Sequence, residues 1–373
     1  MTNRERVKAI LHYQAVDRVP VVHFGFWGKT LQKWADEGHL TQEEIKGYAD
    51  SSPTELVLTA KLGFDFNWQT MRGGNYGLMP PFESKVLEVL PDGFRKVVNG
   101  NGVIHLEREG AGSIPAEIDH LLKGRKEWDE MFKSRLQYHE NRIKKAVFAP
   151  LADDSARENP IGLHAGSLYG SIRNIMGVTG ISYLYADDED LYTEIIDTVG
   201  ELSLRLVKEI LATGAKFDFG HFWEDICFKN GPLVSPQVFA EKVGPHYRKI
   251  TDEMARYGID IVSLDCDGLI DALVPVWLEN GVNTMFPIEV GTWEASIANW
   301  RRQYGRKVLG VGGMDKRVFS RDKVAVDREI ERLKSLVELG GYIPCPDHRL
   351  PPDARFENVV YYAEQFRRAF GRG

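Results

Sequence analysis

The stretch IDIVSLDCDGLIDALVPVWLENGVNTMFPIEV, residues 259–290, decides the fold class. A short apolar run at 260–264 is followed by an amphipathic stretch at 269–279, a glycine at position 281 and a second apolar run at 284–287. Short β-rich runs that alternate with helical stretches are typical of βα units with a parallel sheet, and a glycine just after a helix favours its termination. The stretch therefore predicts one strand–helix–strand unit.

The same alternation continues on both sides of this unit. With the two strands above, the sequence predicts eight strands in all, at 19–24, 64–69, 160–164, 217–222, 260–264, 284–287, 308–311 and 341–344. The predicted helices lie at 41–61, 127–145, 188–211, 236–257, 269–279, 294–304, 323–339 and 357–369. Eight strands with a helix after most of them predict an α/β fold of the (β/α)8 TIM-barrel type, formed by residues 1–373 as a single domain.

Residues 84–112 interrupt this rhythm. Apolar and polar residues alternate there around the turn signals Pro91-Asp92-Gly93 and Asn99-Gly100. Alternation around such turns is typical of antiparallel strands. We predict a small antiparallel β-meander inserted after the second barrel strand, which either walls the mouth of the site or stiffens a long loop.

Composition excludes several classes of protein. The 47 Lys and Arg against 54 Asp and Glu give a net charge of −7, which argues against a nucleic-acid binder. The three cysteines contain no CxxC spacing, which does not suit a secreted disulfide framework. No apolar run reaches about 18 residues, and the first ten residues do not resemble a signal peptide. We therefore expect a cytoplasmic protein that does not enter a membrane.

The predicted strand ends carry many polar groups. In TIM barrels, catalytic residues lie at the C-terminal ends of the strands. One such residue alone is as well explained as a helix cap or a rim residue, but the set as a whole predicts a pocket. In strand order the groups are His23 and Trp27; Asn67, Gln69 and Arg72; His164; His221, Trp223, Glu224 and Asp225; Asp265 and Asp267; Glu289; Asp315 and Lys316; Cys345, Asp347 and His348.

Asp265 and Asp267 stand two residues apart, so an extended chain places both on the same side. They would hold a metal or a cationic substrate group there; alternatively, Asp267 caps the following helix and only Asp265 faces the pocket. Cys266, between them, should point towards the helix layer. Aromatic neighbours would raise the pKa of Glu224 and make it a buried acid or base, unless it only pairs with Arg72 or Lys316.

A metal site is the third open question at the strand ends. Cys, His and Asp side chains near the last strand suit zinc, although their spacing matches no known four-ligand site. The candidate metal ligands are Asp265, Asp267, Cys345 and His348.

Six stretches of the chain resemble the uroporphyrinogen decarboxylase superfamily. They are NRERVKAILHYQAVDRVPV, WEDICFKNGPLVSPQVF, VSLDCDGLIDALVP, NTMFPIEVG, GVGGMDKR and GGYIPCPDHRLPPDARFENVVYY. The resemblance implies a (β/α)8 barrel with its pocket at the C-terminal face, often in a homodimer. It also implies one of two reactions: decarboxylation of a tetrapyrrole, or methyl transfer with corrinoid proteins or thiols.

Two departures from the superfamily's patterns distinguish these reactions. The decarboxylase carries Arg-Gln-Ala-Gly-Arg after its first strand, where this chain reads HFGFWGKTLQKW without an arginine. A highly acidic tetrapyrrole needs several cations, although His348 does match a histidine of the decarboxylase pattern. The thiol-activating methyltransferases carry His-x-Cys-Gly where this chain has Asp265-Cys266-Asp267-Gly268. Carboxylates in place of both zinc ligands favour a harder cation or no metal.

The leading hypothesis is a methyltransferase that moves a methyl group from a small O-, N- or S-methylated substrate to a separate corrinoid protein, with zinc or a harder divalent cation as the candidate metal. Glu224, Asp265 and His348 are its catalytic candidates, and Asp267 adds to the acidic pocket. The alternatives are a decarboxylase of a uroporphyrinogen-type substrate held by Arg72 and Lys316, and a ligand-binding barrel without catalysis. The substrate-binding candidates are His23, Trp27, Asn67, Arg72, His164, His221, Trp223, Glu289 and Lys316.

Overall fold

Strands and helices alternate along residues 1–108 and 116–371, which the computed structural model describes. The strands are β1 (Val22–His23), β2 (Phe66–Asn67), β3 (Met71–Arg72), β4 (Lys85–Val89), β5 (Arg95–Val98), β6 (Val103–Glu107), β7 (Ala116–His120), β8 (Gly162–His164), β9 (Phe219–Trp223), β10 (Cys227–Phe228), β11 (Gly231–Pro232), β12 (Val262–Asp265), β13 (Thr284–Phe286), β14 (Leu309–Met314) and β15 (Tyr342–Pro346). The helices are α1 (Asn3–Leu11), α2 (Gly28–Asp36), α3 (Gln42–Ile45), α4 (Pro53–Lys61), α5 (Arg125–Glu127), α6 (Gly170–Asp187), α7 (Glu189–Leu211), α8 (Pro236–Lys242), α9 (Gly244–Arg256), α10 (Val274–Glu279), α11 (Val290–Trp293), α12 (Ile297–Tyr304), α13 (Lys323–Val337) and α14 (Phe356–Phe370).

The central sheet is parallel and contains seven strands in the order β15-β14-β13-β12-β9-β8-β3. β1 and β2 form a separate parallel pair. The α/β class with a central parallel sheet is thus confirmed, and every predicted strand position contains a strand. The predicted strand at 64–69 is divided, because the N–H of Thr70 turns back to the carbonyl of Asn67 (3.1 Å) between β2 and β3.

The predicted meander is an antiparallel four-stranded sheet in the order β4-β5-β6-β7, inserted after β3. It reaches further along the chain than the sequence predicted, since β7 ends at His120. Residues 109–112 of the predicted insertion lie outside the described residues. This sheet is therefore a separate element beside the parallel one.

The helix predicted at 127–145 was wrong. The chain there forms one turn of π-helix and short 3-10 turns instead of a continuous α-helix. The buried guanidinium of Arg142 explains the difference, because it donates to the backbone carbonyls of Gln137 (2.9 Å), Asn75 (2.8 Å) and Gly77 (2.7 Å). A carbonyl that accepts from this side chain is drawn away from a regular helical hydrogen bond.

Aromatic rings fill the space between distant strands of the sheet. Trp68, between β2 and β3, stacks on Phe219 of β9 with ring centroids 4.4 Å apart. Phe24, just after β1, lies 4.5 Å from Phe286 of β13. Since Phe24 follows β1 and Trp68 follows β2, these rings pack the β1–β2 pair against the seven-stranded sheet. None of the described helices has the length and apolar character needed to cross a membrane.

Candidate active site

A cavity of about 540 Å³ lies at the C-terminal ends of the parallel strands. This volume falls within the range of small-molecule sites, roughly 300–1,000 Å³. The side chains around it are mainly aromatic, imidazole and carboxylate groups. They belong to Phe24, Trp27, Gln69, Met71, His164, His221, Trp223, Asp225, Asp265, Asp267, His348 and Arg349.

The register of the parallel strands brings these groups together. Asp265, the last residue of β12, lies beside Trp223 of β9 and Phe286 of β13. His164, the last residue of β8, lies beside His221. Because these residues end or nearly end their strands, their side chains converge on one edge of the sheet.

Asp265 is the most deeply buried carboxyl group of the cavity, with 5% of its surface exposed. Its Oδ2 accepts a hydrogen bond from Nε2 of Gln69 (2.7 Å). Burial raises the pKa of Asp265 well above its ordinary value, and the negative charge of Asp267 raises it further. The bond from Gln69 and the charge of Arg349 lower that pKa and offset part of the rise. Burial therefore favours the protonated form of Asp265 over the charged one.

Two more carboxylates face the same space. Oδ2 of Asp267 lies 3.3 Å from Nε2 of His348, whose ring stacks on Trp27 at 5.8 Å between centroids. Asp225 has a left-handed backbone (φ 51°) and pairs with Arg173 at 3.1 Å. Burial raises the pKa of Asp225, and the neighbouring Arg173 lowers it. The cavity thus combines one deeply buried carboxyl group with two further acidic groups.

His164 and His221 are neutral histidines in the wall of the cavity. Their ring centroids lie 6.3 Å apart. Burial lowers the pKa of His164 to about 4 and that of His221 well below its ordinary value. Nδ1 of His221 lies 2.6 Å from Oγ of Ser263, which fixes the ring. Neither histidine contributes positive charge at neutral pH.

A family model agrees with this arrangement of strands and polar groups. The model described as uroporphyrinogen decarboxylase (URO-D) matches residues 165–369, which is more than half of the chain. The chain belongs to the uroporphyrinogen decarboxylase family. The matched segment contains five of the six sequence stretches, and the predicted family is thereby confirmed. No curated protein matches the chain as a relative.

Solved structures are similar to this URO-D family member at low sequence identity. A methyltransferase from Methanosarcina mazei is 14% identical, with a TM-score of 0.60 over 98% of this chain and 99% of that one. A B12-independent methionine synthase from a Shewanella species is 13% identical (TM-score 0.47, 94% and 98% covered). A putative methionine synthase of the same kind from Listeria monocytogenes is 11% identical (TM-score 0.41, 96% and 98% covered). At these identities, the first likeness concerns the fold alone.

Glu224 does not face the cavity of this URO-D family member, so its predicted catalytic position was wrong. Its carboxylate is fully buried and accepts hydrogen bonds from the backbone N–H groups of Leu168 (2.7 Å), Tyr169 (3.0 Å) and Gly170 (2.7 Å) at the start of α6. The hydroxyl of Tyr247 also donates to it. A carboxylate at a helix N-terminus satisfies otherwise unpaired N–H groups. Glu224 therefore anchors α6 to the end of β9.

His23 and Asn67 also lie behind the cavity rather than in its wall. Nε2 of His23 lies 2.9 Å from Oγ1 of Thr59, and Nδ1 accepts from the N–H of Gly25 (2.9 Å). The side-chain carbonyl of Asn67 accepts from the N–H of Gln69 (2.9 Å). Both predictions of direct substrate contact were therefore wrong. Asn67 instead holds the segment that carries Gln69 to Asp265.

The two predicted cations do not reach the cavity. Arg72 donates to the carbonyl of Met71 (2.8 Å), and Nζ of Lys316 lies 3.6 Å from Oδ1 of Asp347. Glu289 lies beside Asp267, and its Oε2 accepts a hydrogen bond from the N–H of Gly268 (2.6 Å). This bond stabilises the turn after β12. These three predicted substrate contacts were also wrong. The remaining predicted contacts, Trp27, His164, His221 and Trp223, line the cavity with His348, and their roles in binding stay predictions.

Cys345 is separated from the other candidate metal ligands. It is fully buried in β15 and lies near Tyr362 of α14, whose pKa is raised by burial and then by the Cys345 thiol. The set of four ligands is therefore not assembled. Across residues 1–108 and 116–371, no three His, Cys, Asp or Glu side chains are arranged to hold a metal ion. A divalent ion held by fewer protein ligands stays a prediction.

Five cavity residues received no role from the sequence. Gln69 and Asp225 stood among the strand-end groups, and Arg349 directly follows His348. Phe24 and Met71 gave no polar signal, since apolar residues near a strand end are expected in any core. Arg349 could have been found from its position, but its guanidinium is held by both oxygens of Asp50.

Proposed function

We propose that this member of the uroporphyrinogen decarboxylase family is a methyltransferase, which takes a methyl group from a small methylated compound and passes it to a corrinoid carried by a separate protein. The observation that carries the proposal is the buried carboxyl group of Asp265 at the end of β12, which Gln69 holds at 2.7 Å and whose pKa is raised by burial. An unactivated methyl ether or thioether has a poor leaving group, which an acid must protonate.

The two parallel sheets support a closed (β/α)8 barrel, which belongs to the same proposal. A parallel bridge joins Phe26, after β1, to Leu350, after β15. Leu350 donates to the carbonyl of Gly25 (3.1 Å) and accepts from Trp27 (3.3 Å). β2 is followed within four residues by β3, the edge of the seven-stranded sheet. Closure brings Trp27 next to His348 and completes the ring of strand ends.

Asp265 supplies the proton of the transfer step. The bond between the methyl carbon and its heteroatom breaks, and the electron pair remains on the heteroatom. The heteroatom takes the proton of Asp265, and the methyl carbon forms its new bond to the nucleophile of the acceptor. Gln69 holds the carboxyl group in place for this donation, because its amide bonds to Oδ2 (2.7 Å).

The acceptor would approach at Trp27. This side chain is 42% exposed and forms one wall of the cavity, which therefore opens to solvent. A reduced corrinoid supplies a strong nucleophile for methyl carbon. The cavity itself accommodates the small substrate, in keeping with a corrinoid that arrives on a partner.

The charges of the cavity disfavour the decarboxylase alternative. Among its lining residues, Arg349 is the one Lys or Arg, and its guanidinium is paired with Asp50. Asp225, Asp265 and Asp267 add three acidic groups. A tetrapyrrole with many carboxylates would need unpaired cations in their place, because buried charges are stable only when paired.

Transfer of an isotope-labelled methyl group tests the function. We expect the protein with free reduced cobalamin to move the label from at least one of methanol, anisole or dimethyl sulfide, as followed by mass spectrometry. Uroporphyrinogen should release no carbon dioxide. Release of carbon dioxide without any label transfer would establish the decarboxylase reaction instead.

The pH dependence of the rate should report the acid form of Asp265. Because its pKa is raised, the protonated form persists above the usual carboxyl range of about 4 and is lost as pH rises through the raised value. We expect the transfer rate to fall with rising pH through that value. Gln69→Leu removes a bond that favours the charged form and should move the fall to higher pH. Asp267→Asn removes a neighbouring charge and should move it to lower pH; shifts in the same direction would contradict this assignment.

A further inference from the structure

Two hydrogen-bond acceptors in the wall of the cavity have no partner. They are Nε2 of His221 and Oδ1 of Asp267, both shielded from solvent, and neither is bonded to any group of the described residues. The whole His221 side chain is nearly inaccessible, with 1% of the residue's surface exposed. Leaving buried acceptors unpaired is unfavourable, so both atoms point to a ligand that donates hydrogen bonds.

The hydrogen bonds of Ser263 assign the acceptor role to Nε2 of His221. Oγ of Ser263 lies 2.6 Å from Nδ1 of His221 and donates its one proton to the carbonyl of Gly220 at 3.4 Å. The tautomer that satisfies both bonds carries its proton on Nδ1, which then donates to Oγ. In a neutral imidazole this leaves Nε2 with a lone pair.

The charges and rings around these acceptors favour a cation. Asp267 adds a carboxylate, while the cations near it, Arg349 and Arg173, are paired with Asp50 and Asp225. The rings of Phe24, Trp27 and Trp223 line the same cavity. Aromatic faces attract small cations, so the wall offers ring faces together with carboxylate oxygen.

We propose that the cavity recognises a small protonated amine, whose N–H groups donate to Oδ1 of Asp267 and Nε2 of His221. The inference rests on the proposed function and makes it more specific: the substrate carries an ammonium group in addition to the methylated oxygen or sulfur atom that Asp265 protonates. A neutral molecule of the same size satisfies the two acceptors less well, and an anion is repelled by the carboxylates.

Calorimetric titration of the full-length protein tests the inference by binding alone. The probes are methylammonium, dimethylammonium and tetramethylammonium chlorides, with methanol and sodium acetate as the neutral and anionic comparisons, all at constant ionic strength. We expect the two ammonium ions that carry N–H groups to bind. Tetramethylammonium, which has no N–H, should bind more weakly, and methanol and acetate should give no measurable heat.

Variants locate the binding. Asp267→Asn removes the charge, and His221→Asn keeps an amide near the Nδ1 position while removing Nε2. Each substitution should raise the dissociation constant of methylammonium by about tenfold or more. Asp260→Asn, an exposed carboxylate at the opposite end of the same strand segment, should bind as the wild type does. Circular dichroism would verify that each variant is folded.

The possible outcomes separate this inference from the proposed function. Equal binding of methylammonium to the wild type and to both cavity variants, or preferential binding of acetate or methanol, would overturn the inference. Binding of ammonium ions at the cavity without transfer of any methyl label would support the inference and contradict the proposed methyltransferase function. Label transfer from a neutral probe that ammonium ions do not inhibit would support the methyltransferase and overturn the inference.

Discussion

Asp265→Asn should lower the methyl-transfer rate by roughly 100-fold or more, which is the usual contribution of a positioned general acid. Asparagine has nearly the same shape and can still accept from Gln69, but it has no proton to give to the leaving heteroatom. The measurement is the rate of label transfer from whichever methylated probe the wild type uses. We expect the Michaelis constant to change less than the turnover number, because the lost interaction belongs to the transition state.

The matched control for this variant is Asp260→Asn, in which the same chemical change is made at an exposed position. Its rate should equal that of the wild type. The Asp265 variant should also unfold at a similar denaturant concentration, since a neutral amide replaces a neutral acid. A variant that is folded and retains more than about a tenth of the wild-type rate would remove Asp265 from the mechanism.

Glu224→Gln should lower the free energy of unfolding by about 3 kcal/mol or more. Glu224 collects three backbone N–H groups and the Tyr247 hydroxyl on two carboxylate oxygens, and all of these groups are buried. A glutamine keeps one carbonyl oxygen as an acceptor but places an NH2 group where the second carboxylate oxygen was. That NH2 group then faces the backbone N–H groups or the Tyr247 hydroxyl, which are donors themselves. Urea unfolding followed by circular dichroism measures the change.

Glu241→Gln is the control for this second variant, because Glu241 is exposed on α8 and its Oε1 accepts from Nε2 of Gln237 (2.9 Å) at the surface. Its stability should change by less than about 0.5 kcal/mol. An equally small change for Glu224→Gln would mean that the start of α6 is held by other contacts. A loss of activity with unchanged stability would show that Glu224 takes part in the reaction rather than holding α6.

The strand positions could be predicted from sequence because buried parallel strands are short, apolar runs bounded by turn residues. The helices were harder to bound. Pro53 begins α4 and divides the helix predicted at 41–61. In the turns after Trp128, the side chain of Arg142 bonds to the nearby carbonyl of Gln137 and to the distant carbonyl of Asn75. Such long-range bonds leave no periodic trace in the sequence.

The candidate site could be predicted where the two-residue period of a strand applied. It placed Asp265 and Asp267 together and turned Cys266 away, and Sγ of Cys266 indeed accepts from the N–H of Ile226 in the buried layer. The same alternation separates Glu224 from Trp223 and Asp225. What the sequence could not reveal is the set of N–H groups at the start of α6, since they meet Glu224 only in the folded chain.

The family model matches the chain only from residue 165 onwards, whereas the residues that line the cavity come from both sides of that position. The cavity walls include Phe24, Trp27, Gln69, Met71 and His164, all of which precede that residue. The cavity therefore combines side chains of the matched segment, among them Asp225, Asp265 and Asp267, with side chains that precede it. Two proteins that match the family model equally well over residues 165–369 can therefore differ in the earlier part of the cavity wall and bind different substrates. A change of substrate specificity made in that earlier part would not alter the segment that the family model matches.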